Sequence, residues 1–269
     1  MLALVVTVDH SDIELASDVL WSLGVMAIEE RGTGLHTELW TAIGDDRDAA
    51  SASVAEPLAR WTWRLVEVDE SVSATWRRHA RPTWIDDDLV ICPAWLDVAI
   101  GSGGRVVSIE PGPTFGLGDH PTTILSLRAL RSVLQPGMSV LDVGCGSGVL
   151  AIAACVFGAS RATAIDIAPA AVGITLANAT ANGVADRVRV SNTPLAAVDD
   201  RYEVVVANIL APALIELAAD LQRVVARRGA LIVSGVLADQ HGHVEAALRP
   251  LQLVARTTLD GWAALTYAS

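Results

Sequence analysis

The chain predicts an α/β protein: a mostly parallel sheet finished by a C-terminal antiparallel hairpin, preceded by a small α+β domain. Three observations carry that prediction. From Arg105 onward apolar strand patterns alternate with helical ones, the rhythm of a parallel sheet with helices on both faces. Within it the strand pattern SVLDV runs into Gly144, Gly146 and Gly148 before the helical stretch VLAIAACVFGA. Ahead of both, residues 1–69 alternate in the order βαββαβ, the order of a ferredoxin-like sandwich.

Taken in order, LALVVTV reads as a strand and SDIELASDVLWSLG as an amphipathic helix, opened by Ser11 or Asp12 and closed near Gly24. AIEERG and HTELWTAIG form a hairpin pattern, DRDAASASVAEPLARW a second helix and TWRLVEV a last strand. Residues 70–104 change character, with a helix-like piece at ATWRRHARP, a strand DLVICPAW and a glycine run at Ser102–Gly104. They read as a linker. Residues 105–269 form the larger domain, whose end, LQLVARTTLDGWAALTYAS, reads as two strands joined around Asp260 and Gly261.

Composition narrows the function classes. Of the 269 residues 52% are hydrophobic, with mean hydropathy +0.42, enough for a substantial core. No run of about 18 uncharged apolar residues occurs, and Asp9 interrupts the first apolar run with no basic leader before it, so a cytoplasmic protein is expected. Cys92, Cys145 and Cys155 make neither a disulfide framework nor a zinc spacing, and no metal is expected. All 19 basic residues are Arg, and the net charge is −12. Residues 1–69 hold 13 acids against 4 Arg, and residues 105–269 hold 13 against 12. A nucleic-acid binder needs a basic footprint that this chain lacks. The acidic first quarter serves either solubility or attraction of a basic partner.

The glycine run is the most informative stretch. Glycines between a strand and a helix permit a tight turn and let a ligand approach the backbone. Asp166, 18 residues after Gly148, ends the strand pattern RATAIDIAP, where a carboxylate can take both hydroxyls of a ribose. A dinucleotide fingerprint needs a third glycine at Val149, and a phosphate loop needs a Lys that is absent. The G-x-G-x-G spacing after Asp142 instead resembles the first motif of the class I S-adenosylmethionine methyltransferases. A bare structural turn and an NAD-type fold are the competing readings.

After one intervening strand, RVRVSN, comes VVVANILA. Its Asn208 is expected at the carboxyl end of a core strand, beside the same crevice. A carboxamide there can hold an ammonium or an amine by its oxygen, or it can simply cap the next helix. Before the first motif, PGPTFGLGDHPTTILSLRAL forms a loop and a helix start, with Asp119 or His120 as the cap of a helix begun by Pro121. Such a loop can close over the methionine end of the cofactor. His120 is expected to cap or pack before it acts as a base.

FGLGDHPTT, LDVGCGSGVLAIAA, Asp166 and ANILA, in that order, resemble the ribosomal protein L11 methyltransferases, the PrmA family, over nearly the whole chain. The resemblance implies a class I fold and transfer of methyl groups from S-adenosylmethionine to lysine and terminal amines of that ribosomal protein. It also implies an N-terminal domain that recognises the substrate. Matched by motif, the cofactor contacts it implies include Thr123, Gly144, Asp166 and Asn208; Asp142, Gly146 and Gly148 of the glycine motif complete the expected set. Leu117 stands where the family has Thr, and Pro212-Ala213 where it commonly has Gly-Pro.

Such chemistry needs a free amine aligned with the methyl donor and no covalent nucleophile. Asn208 is the expected aligner, as catalytic residue, with the proton lost to water. The expected partner is a basic ribosomal protein, free instead of assembled, with the enzyme a monomer and no nucleic acid or membrane bound. Three rival readings are a lysine methyltransferase of another protein such as an electron-transfer flavoprotein, an amino-adenine methyltransferase and a catalytically inert assembly factor. The adenine enzymes typically follow the Asn with Pro-Pro and a stacking aromatic, which Ile209, Leu210 and Ala211 do not supply.

Overall fold

The computed structural model describes residues 2–23, 25, 28–32, 34, 36–43, 47–67, 80–110 and 118–269. Gly24, most of ATWRRHARP and Leu117 with the loop residues before it lie outside the described residues. The chain divides into two compact units, Met1–Ala80 and Arg81–Ser269.

In the first unit the elements run β1 (Leu2–Asp9), α1 (Ile13–Ser22), β2 (Glu29–Gly32), β3 (His36–Ala42), α2 (Arg47–Val54) and β4 (Thr62–Glu67). The strands pair antiparallel in the order β2-β3-β1-β4. Alternation along β1 puts Leu4, Val6 and Val8 into a core with Ala16 and Leu20 of α1, Leu39, Val54 and Leu58, as a strand with period two requires. Asp12 does not open α1: it sits in a short 3-10 turn before it and accepts from the Trp61 indole at 3.0 Å.

The second unit begins earlier than the sequence predicts. β5 (Thr83–Asp86) and β6 (Leu89–Pro93) join β7 (Arg105–Ile109) in a three-stranded sheet. Ile85, Leu89, Ile91, Val107 and Ile109 then enter the same hydrophobic cluster as Val140, Ile152 and Val204. Residues 81–104 therefore belong to the second unit by burial, and the predicted linker of 70–104 and domain start at 105 give way to a boundary at 80.

The main sheet contains β8 (Ser139–Val143), β9 (Arg161–Ile165), β10 (Val188–Ser191), β11 (Tyr202–Asn208), β12 (Val225–Leu237), β13 (Gln252–Leu259) and β14 (Trp262–Ala268). Their order is β10-β9-β8-β11-β12-β14-β13, parallel up to β12 and antiparallel beyond it. Helices α3 (Pro121–Val133), α4 (Val149–Val156), α5 (Pro169–Ala181), α6 (Ala211–Glu216), α7 (Ala218–Val224) and α8 (Gly242–Ala247) connect or flank the strands. Both faces are buried, because alternate residues feed two clusters: Val140, Val204 and Val206 on one side, Leu141, Val143, Val205 and Ala207 on the other. Asp260 and Gly261 both take positive φ, 48° and 82°, which turns β13 into β14 as a tight hairpin. The sheet order reverses between β8 and β11, so their carboxyl ends flank the switch-point crevice.

Candidate cofactor and acceptor site

The glycine loop leaves β8 at Val143 and enters α4 at Val149. Its path is held by backbone bonds: Gly144 N and Cys145 N both donate to Ile165 O at 2.8 and 3.1 Å, and Gly148 N to Cys145 O at 2.8 Å. Gly144, Gly146 and Gly148 all take positive φ, 72°, 52° and 81°, a region glycine occupies without steric cost. At Gly148 a Cβ would also come within 2.6 Å of the Thr175 side chain on α5. The loop is thus shaped by its lack of side chains.

Asp166 follows β9 and braces the loop. Its Oδ2 accepts from Gly146 N and its Oδ1 from Ala168 N, each at 2.8 Å. A carboxylate has about four acceptor positions, so one remains on each oxygen for a pair of hydroxyls. Directly beside it Ile167 is 93% exposed, a large apolar side chain with no packing role. The sequence reading missed Ile167, although an apolar residue just past a strand-end acid was its visible signal.

Asp142 has a different place. It is fully buried under the loop, with Oδ2 accepting from Ala151 N at 3.0 Å and Oδ1 without a hydrogen-bond partner. Burial, with a smaller push from Asp166, raises its carboxyl to about 7. Asp142, like Thr123, has no exposed surface. Its contact is with the first turn of α4, so it shapes the loop from below.

On the other side of the crevice Asn208 ends β11, one residue beyond the pair Ala207–Val143 and hence level with Gly144. Its Nδ2 donates to Thr123 Oγ1 at 3.4 Å, joining two residues 85 positions apart. Among the described residues its Oδ1 accepts no hydrogen bond. The capping alternative does not hold, since the cap of α6 is Leu210 and has no side-chain bond. Pro212, a departure from the family pattern, falls in the first turn of α6, where its missing N–H removes no helix bond.

Ile209 fixes this corner by fit. A Cβ at Gly144 would lie 2.4 Å from Ile209 Cγ2, and one at Gly235 would lie 2.3 Å from the Ile209 carbonyl oxygen. Gly235, with φ 87°, also marks the register shift in β12 between Ser234 and Val236. Sequence reasoning passed over it. A glycine inside the strand pattern LIVSGVL is the signal of a bulge or a close backbone approach.

Thr123 is fully buried in the first turn of α3, next to the expected cap. His120 is that cap: its Nδ1 accepts from Thr122 N at 3.3 Å and lies 2.7 Å from Thr122 Oγ1. The neutral ring then carries its proton on Nε2, and burial lowers its pKa. His120 is the helix cap. Its ring also meets Trp262 edge-on at 5.2 Å.

Known proteins resemble the chain over most of its length. The family model for ribosomal protein L11 methyltransferase (PrmA) matches residues 36–269. A ribosomal protein L11 methyltransferase from Geobacter sulfurreducens is 42% identical over 222 residues, 82% of this chain and 73% of that protein. One from Moorella thermoacetica is 38% identical over 221 residues, 82% of this chain and 67% of that protein. A crystal structure of ribosomal protein L11 methylase from Lactobacillus delbrueckii subsp. bulgaricus superposes with a TM-score of 0.65 at 30% identity, covering 70% of this chain and 97% of that one.

Proposed function

The chain belongs to the ribosomal protein L11 methyltransferase (PrmA) family, and we propose that it transfers methyl groups from S-adenosylmethionine to lysine and terminal amines of ribosomal protein L11. The observation that carries this reading is Asn208: a carboxamide at the switch point, level with the glycine loop, with an acceptor oxygen to spare. Family membership supports neither an electron-transfer flavoprotein nor an adenine base as the acceptor.

Asp166 would hold the ribose hydroxyls, Ile167 would lie against the adenine, and the glycine loop with Thr123 and Asn208 would border the methionine part. Bound there, S-adenosylmethionine supplies a methyl group already activated on a sulfonium. The protein's own task is to accept a neutral amine in line with it. A free lysine has a pKa near 10.4, so presenting it neutral at pH 7 costs about 4.6 kcal/mol unless the site desolvates it. Asn208 Oδ1 can accept one N–H of the amine while its Nδ2 stays on Thr123, which orients the nitrogen lone pair. No base among the residues described at the crevice takes the proton, His120 being turned to its own helix, so it leaves to water.

We read the first unit as a ferredoxin-like domain that recognises the substrate, a reading supported by its β2-β3-β1-β4 order and its βαββαβ connectivity. Its excess of nine negative charges within residues 1–69 would attract a basic ribosomal protein and repel ribosomal RNA. The preferred substrate is therefore free L11, met by a monomeric enzyme in the cytoplasm. Among the described residues no helix is long and apolar enough to cross a membrane. Incubation of the purified protein with labelled cofactor and either free L11 or intact ribosomes, at low salt, tests this. Faster labelling of free L11 at amines is expected, and equal rates on ribosomes would remove the electrostatic argument.

A further inference from the structure

One face of α5 and its C-terminal cap holds two backbone segments, the glycine loop and β7 with its extension, by side-chain bonds. Thr175 Oγ1 donates to Gly146 O at 3.2 Å. Asn178, 2% exposed, donates from Nδ2 to Ser147 O at 2.9 Å and to Glu110 O at 2.8 Å, and its Oδ1 accepts from Glu110 N at 2.9 Å. One turn later Asn182 repeats the grip on Ser108: Oδ1 accepts from Ser108 N at 2.8 Å, and Nδ2 donates to Ser108 O at 2.6 Å.

The spacing explains why this works. Residues four apart on a helix rise about 6 Å, and residues two apart on a strand about 6.6 Å. Two carboxamides at i and i+4 can therefore meet alternate residues of β7 and its extension, each presenting a donor and an acceptor as a neighbouring strand would. β6 pairs the other edge of β7. The asparagines thus close the edge that no described strand pairs.

Asn178 differs from Asn182 in one respect: its third bond reaches the glycine loop. We propose that Asn178 is a positioning residue for the cofactor, because it locks the Ser147 carbonyl to both backbone groups of Glu110 and so fixes where the loop stands in the crevice. Asn182 makes the same strand contact, and its third bond goes to Asn178 O of its own helix at 2.8 Å. It serves stability alone. The inference rests on the cofactor assignment made above.

The pair supplies its own control. In Asn178→Ala and Asn182→Ala each strand clamp is lost, and both are expected to lower the melting temperature by comparable amounts. Calorimetric titration with S-adenosylmethionine should show about tenfold weaker binding for Asn178→Ala and less than twofold for Asn182→Ala, with KM for L11 unchanged in both. Asn178→Ser, which keeps a hydroxyl and is less disruptive, should fall between. Equal cofactor affinity in the variants at 178 and 182 would overturn the proposal. A wild-type protein that binds no cofactor would instead overturn the cofactor reading itself.

Discussion

The two walls of the crevice are built on different principles. The glycine loop is held by polar bonds: Asp166 to Gly146 N, Thr175 to Gly146 O, and Asn178 to Ser147 O. The Asn208 corner is held chiefly by shape, with Ile209 set against Gly144 and Gly235, and the Asn208 side chain makes one hydrogen bond, of 3.4 Å to Thr123, among the described residues. A loop that receives a ligand through its backbone must itself be pinned, and hydrogen bonds pin direction as well as distance. A corner that must offer a free carboxamide oxygen is better fixed by packing, which consumes no acceptor. On this account damage to the loop wall weakens cofactor binding, and damage to the corner slows transfer.

The sharpest way to break that division is Asn208→Ala. Turnover with L11 should fall on the order of 1,000-fold while the cofactor Kd moves only a few-fold. Near-normal turnover would remove Asn208 from the chemistry. Gly235→Ala attacks the same corner without touching a polar group. Its Cβ would collide with the Ile209 carbonyl, and displacing the corner should cost about 100-fold in kcat with cofactor affinity retained. An unchanged kcat in a folded variant would show that the fit of Ile209 does not set the position of Asn208.

Gly148→Ala probes the loop wall instead. Positive φ and the 2.6 Å approach to Thr175 should weaken cofactor binding about 30-fold. If kcat at saturating cofactor falls just as far, the two walls are not separable. The smallest effect concerns Asp142. Its carboxyl is raised to about 7 in the fold from an ordinary 3.8, so the native state binds the extra proton between those values. Stability then declines as pH rises through that window and levels off above it. Asp142→Asn should gain a few degrees in melting temperature relative to wild type between about pH 4 and pH 7. A constant difference across that range would contradict the burial argument.

Much of this site was legible because its signals are local. A strand pattern ending in glycines, an acid 18 residues on and an amide after three valines each report a strand end, and strand ends of one parallel sheet share one crevice. The place of Asp142 under the loop was not legible, because its position in the motif alone says nothing about which way its side chain faces. Alternation along β8 sends it inward, to Ala151 N. Asn178 was not legible, since its partner Glu110 lies 68 residues away; Gly235 was visible as a glycine inside a strand pattern, but its partner Ile209 was not. Local periodicity reports which face is buried, and it does not report what that face meets. The boundary at 80 was hidden for a similar reason. β5 is four residues long and shows its membership only through burial against a cluster assembled from distant strands.

The central claim, methyl transfer to L11 at the crevice between β8 and β11, has one direct measurement. A lysate from cells lacking this protein is incubated with it and with methyl-labelled S-adenosylmethionine, and the labelled bands are identified by mass spectrometry. The account predicts one principal band, ribosomal protein L11 labelled on amines, and its loss with Asn208→Ala. Label on a different protein, or none from a protein that binds the cofactor, would contradict it.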